Sequence, residues 1–75
     1  MTTYIIEGLR PDLSPRDIRS IWERVALELL RDPTYEWAMY ERTTNQHLLL
    51  VRRELTAEHK KNLEEAYNVT LTKEG

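Results

Sequence analysis

The chain has 75 residues, no cysteine and a formal net charge of −2, with 40% hydrophobic and 32% charged residues. A chain this short forms one small domain that buries only about 60% of the surface it exposes when unfolded. The composition excludes a disulfide framework, a thiolate nucleophile and a thiolate metal site, and gives no general electrostatic pull toward nucleic acid or anionic lipid.

Met1 to Glu7 carries neither the basic stretch nor the apolar run of a secretion signal. No segment approaches the ~20 apolar residues of a membrane helix. Together with the missing staples, this predicts a cytoplasmic single domain over residues 1–75 with no membrane contact.

Thr3 to Glu7 is β-rich and closed by Gly8, which predicts the first strand. A helix start follows in several independent signals. Ser14 suits the N-cap, Pro15 the first helical position, and Asp17 the third, where its charge meets the positive end of the helix dipole. Leu13 and Ile18 are spaced as a hydrophobic staple. Ile18, Ile21, Trp22, Val25 and Leu29 then recur on one helical face, and Asp32-Pro33 ends the run.

Thr34 to Arg42 is aromatic-rich with strand alternation, Thr43-Thr44-Asn45-Gln46 makes a turn, and His47 to Arg53 returns antiparallel. Thr56 caps a second helix running to Tyr67, with Leu63, Ala66 and Tyr67 as its apolar stripe and Lys60–Glu64 and Lys61–Glu65 as pairs on its wet side. Asn68 suits a left-handed C-cap, and Val69 to Thr72 alternates as the last strand.

The order β-α-β-β-α-β resembles the ferredoxin-like α+β fold. The resemblance implies a two-layer sandwich, an antiparallel sheet in order 4-1-3-2 and two helices on one face. It implies little about function, since many activities share this fold.

Two helices leave one sheet face uncovered, and Leu48-Leu49-Leu50-Val51 makes both faces of its strand apolar. A hairpin closed by Thr43 and Gln46 places Met39 opposite Leu50 and Tyr40 opposite Leu49, so two assignments compete. Bulk favours Trp37, Met39, Leu48 and Leu50 beneath the helices, with Tyr4, Ile6, Val69 and Leu71. The open face then shows Ile5, Ala38, Tyr40, Leu49 and Val51, rimmed by Arg42, His47 and Arg53. An apolar centre with a mixed-charge rim is the pattern of a protein interface. The expected function is a non-enzymatic interaction module that binds a heterologous protein or its own copy as a homodimer, in the manner of a regulator or inhibitor.

Two alternatives come from relatives of the fold. Tyr4-Ile5-Ile6-Glu7-Gly8-Leu9 is similar to the first-strand signature of RNA-recognition domains, which implies single-stranded RNA on the open face. Ile5 stands where that family has a stacking aromatic, however, and His47 and Leu49 replace its third-strand signature. Small acylphosphatase-type enzymes also use this layout. Arg10 and Arg16 flank the first helix N-terminus as an anion-site candidate, but the Gly-rich anion loop of those enzymes is missing, since the only glycines are Gly8 and Gly75. No nucleophile–base pair stands out, His47 and His59 have no converging ligands, and no catalytic residue, metal or cofactor is expected.

Overall fold

The computed structural model describes residues 1–74 and contains β1 (Thr2–Glu7), α1 (Pro15–Arg31), β2 (Ala38–Arg42), β3 (His47–Val51), α2 (Ala57–Tyr67) and β4 (Thr70–Lys73). The strands form one antiparallel sheet in the order β2-β3-β1-β4, the ferredoxin-like arrangement.

Local chemistry accounts for the helix ends. The Ser14 hydroxyl accepts the Asp17 N–H at 3.1 Å, and Pro15 opens α1. Asp32 ends α1, its N–H reaching the Leu29 carbonyl and its carboxylate accepting the Thr34 N–H at 2.8 Å. Thr56 caps α2 by accepting the His59 N–H, and Asn68 closes it at φ 53°, ψ 50°.

Thr34 to Trp37 departs from the expected strand. Trp37 N–H donates to the Tyr35 carbonyl at 2.6 Å across Glu36, whose φ is 61°. This is a three-residue turn around a positive-φ residue, a conformation that costs on the order of 1–3 kcal/mol. Burial of Tyr35, which has no exposed surface, and an ion pair from Glu36 to Arg53 hold it in place.

The core under the helices joins Ile18, Trp22, Val25, Ala26 and Leu29 of α1 to Tyr4 and Ile6 of β1, Leu71 of β4 and Val69 just before it. Tyr35 and Leu55 enter from loops. The helix α2 is a lighter cover: no residue in it is fully buried, Leu63 and Tyr67 pack half-buried against the core, and Ala66, expected in its stripe, is exposed. The Lys60–Glu64 pair forms at 3.4 Å, whereas the expected Lys61–Glu65 pair is not among the ion pairs of the described residues. Glu64 also accepts the Leu71 N–H at 2.8 Å, which ties α2 to β4.

The hairpin register is the expected one, but its faces are reversed. β1 pairs with β3 so that Tyr4 lies opposite Leu49 and Ile5 opposite Leu48. With Tyr4 and Ile6 inside, Leu49 and Val51 must also be inside, because paired residues share a face. Leu49 and Val51 have no exposed surface, and Ala38 and Tyr40 are buried beside them. These four residues therefore do not lie on the open face. The bulk expected from Trp37 and Met39 is supplied instead by Trp22 from α1 and Tyr35 from the loop. Ala26 and Ala38 line one groove between α1 and β2, where small side chains suit close approach of the helix to the strand.

Leu49→Ala is expected to cost about 2–5 kcal/mol, the range for truncating a buried leucine. Leu49→Glu is expected to abolish the cooperative unfolding transition in circular dichroism, while Met39→Glu, at a position 41% exposed, leaves it in place.

Candidate functional site

The uncovered face is built from alternate residues of all four strands. Thr3 and Ile5 of β1 lie opposite Leu50 and Leu48 of β3, which in turn lie opposite Met39 and Glu41 of β2. On the far side, Thr72 faces Ile5 and Thr70 faces Glu7, and the Thr72 hydroxyl donates to the Glu7 carboxylate. The centre is thus an aliphatic band of Met39, Leu50, Leu48 and Ile5, with a polar strip on the β4 side and Glu41 at one end.

At the other end of the band, Met1, Trp37 and Arg52 enclose a hollow of about 370 Å³. A second hollow of about 310 Å³ beside it is lined by Met1, Glu36, Arg52 and Arg53. Met1 is the most exposed large apolar side chain among the described residues, at 78%. Leu48 and Leu50 are each only 8% exposed although no helix covers them, because neighbouring strands crowd their flanks. The centre of this face is therefore shallow and closely packed.

Of the residues expected on this face from sequence, Ile5 alone lies within its apolar band. Arg53 is exposed just beyond β3, where its guanidinium holds the Glu36 carboxyl below the usual range. Arg42 and His47 pair at the turn end of the hairpin, and by strand alternation they share the helix-side face with Tyr40 and Leu49. There the Tyr40 hydroxyl meets His47 Nδ1 at 2.6 Å, with the rings stacked at 6.1 Å. Burial raises the Tyr40 pKa, whereas burial and then the Arg42 charge lower that of His47.

Trp37, Met39, Leu48 and Leu50 replace the expected set. Strand alternation shows that these four share a face, but not which face. That depends on the register between β1 and β3, which lie far apart in the chain and leave no local signal.

The other candidate sites hold less. Arg10 at the head of α1 is clamped by Asp12 through contacts of 3.0 and 2.6 Å, which lowers the Asp12 pKa and neutralises the proposed anion ligand. His59 is turned inward, its Nδ1 against the Tyr35 hydroxyl, and that hydroxyl also accepts the Thr56 N–H at 3.3 Å. No cluster of metal-ligating side chains occurs among the described residues, and no helix is long and apolar enough to cross a membrane.

Comparison of the chain with protein-family models, curated proteins and solved structures finds no match in any of the three. The surface itself is therefore the basis for a functional reading.

The histidine at the turn gives a pH dependence. Its ordinary pKa is 6.5 and the folded value is lower, so the unfolded chain takes up a proton that folded His47 refuses. Stability contributed by neutral His47 is present above pH 6.5 and declines as pH falls toward the folded value. Urea denaturation at pH 7.5 and 5.5 is expected to show lower stability at the acid pH, with a smaller difference in His47→Gln.

Proposed function

We propose that this protein is a non-enzymatic interaction module that docks a protein partner on its open sheet face. The observation that supports this reading is the aliphatic band of Met39, Leu50, Leu48 and Ile5 left outside the helices. The Met1–Trp37–Arg52 hollow adjoins one end of that band.

An apolar centre beside Trp and Arg anchors, with a polar margin, is the arrangement on which interface energy concentrates. Trp37 can bury its ring in a partner while Arg52 offers forked donors to a carboxylate at the margin. Such a contact suits a regulator or inhibitor that works by covering a larger protein's surface. The central strands favour a protein over single-stranded RNA, since they present Ile5, Leu48 and Leu50, which have no ring on which a base can stack.

Affinity capture from the native host, followed by binding titrations with the captured protein, tests this reading. Trp37→Ala and Arg52→Glu, at half-buried and exposed positions beside the band, are each expected to weaken binding about 30-fold, the effect of losing a hot spot of about 2 kcal/mol. The far-ultraviolet circular dichroism of both variants stays that of the wild type. Undiminished capture by both variants, or loss of binding on Arg10→Ala instead, would overturn the assignment.

A further inference from the structure

The two edges of the sheet are treated differently. Glu74 N–H donates to the Thr3 carbonyl, which fixes the phase of the β1–β4 ladder and turns the backbone groups of Leu71 and Lys73 outward. The β4 edge is then blunted by side chains. Glu64 from α2 takes the Leu71 N–H, and Lys73 places a charge there, paired with Glu54 at 3.1 Å.

The β2 edge has no such cover. Arg52 N–H donates to the Trp37 carbonyl and Thr43 N–H to the Gln46 carbonyl, so Trp37, Met39, Glu41 and Thr43 face β3. Ala38, Tyr40 and Arg42 therefore turn their N–H and C=O groups out of the sheet, and no side-chain bond reaches them among the described residues. Beside this edge a groove of about 270 Å³ runs between α1 and β2, lined by Glu23, Ala26, Leu27, Ala38, Met39 and Tyr40. Leu27 and Leu30 of α1, one helical turn apart, are 53% and 43% exposed, and Met39 is 41% exposed. Three of the four exposed large apolar residues among those described thus belong to the two elements flanking one unpaired edge.

We propose that β2 pairs antiparallel with β2 of a second copy, about a two-fold axis at Tyr40, joining the two sheets into one. Centred there, all three outward-facing residues are used: Tyr40 meets its own copy and Ala38 meets Arg42 of the other chain. A register centred on Glu41 sets two carboxylates against each other, and one centred on Met39 runs into the turn at Glu36.

Charge also favours the Tyr40 register. It brings Arg42 of one copy beside Ala38 of the other, where Glu23 lines the same groove. Arg19, which already approaches Glu23 at 3.5 Å, adds a second cation to the seam. The leucines of α1 close the gap on the helix side. Since β4 is blunted, pairing ends at two copies and does not propagate. This surface meets the open face only at Met39, and the dimer would carry two such faces side by side.

Sedimentation equilibrium on the full chain tests the proposal. The wild type is expected to be dimeric at micromolar concentration. Leu27→Glu, at an exposed helical position, and Arg42→Pro, which deletes an outward N–H without touching the β3 ladder, are expected to shift the dissociation constant by at least about 30-fold. Arg52→Glu, at an exposed open-face position outside the groove, leaves the dimer intact. In hydrogen exchange, the Tyr40 and Arg42 amides slow by at least about 10-fold on going from dilute to concentrated wild type. A wild type that stays monomeric into the millimolar range overturns the proposal, as does a dimer lost on Arg52→Glu but indifferent to Leu27→Glu. Should Arg42→Pro fail to fold, Leu27→Glu and the exchange rates decide.

Discussion

The pairing of Tyr4 with Leu49 across the centre of the sheet is the constraint from which the rest of the molecule follows. Successive strand residues alternate between faces, so this one register decides which half of Leu48-Leu49-Leu50-Val51 goes under the helices. A slip of one residue would place Leu48 and Leu50 inside and expel Leu49. Tyr4 holds the register because its ring is buried and its hydroxyl accepts the Leu55 N–H at 2.9 Å, which also pins the loop entering α2.

Tyrosine hydroxyls carry much of the joining between elements. Tyr35 reaches His59 and Thr56 at the head of α2, Tyr40 reaches His47, and Tyr4 reaches Leu55. Each ring adds apolar volume to a core that a chain of 75 residues can fill only sparingly, and each hydroxyl finds a partner. No buried side-chain nitrogen or oxygen is left unpaired among the described residues. The Trp22–Tyr67 contact, with ring centroids 5.3 Å apart, adds a direct link between helices that otherwise touch lightly.

Most of what depended on neighbours in the chain was legible in advance. Ser14-Pro15 and Thr56 marked helix starts, Asp32 and Asn68 marked helix ends, and Thr43 with Gln46 set the hairpin register. Those signals also yielded the element order and hence the ferredoxin-like arrangement. The candidate surface was legible only as a pair of mirror possibilities. Choosing by bulk selected the wrong one for β2 and β3, because Trp22 and Tyr35 fill the space that Trp37 and Met39 were expected to occupy. The positive-φ turn at Glu36 was equally hidden, since nothing in Tyr35-Glu36-Trp37 departs from strand chemistry.

By itself, then, the sequence determined where both helices begin and end, that the sheet is antiparallel, and that one of its faces stays outside the helices. Those outcomes rest on hydrogen bonds and periodicities spanning a few residues. Only the tertiary structure decided that Leu48, Leu50 and Met39, and not Leu49, Val51 and Tyr40, face outward. It also decided that β4 is blunted while β2 is left open. Those outcomes rest on contacts between separate elements, Tyr4 of β1 with Leu49 of β3 and Glu64 of α2 with Leu71 of β4, whose partners are set when the layers close around a shared core.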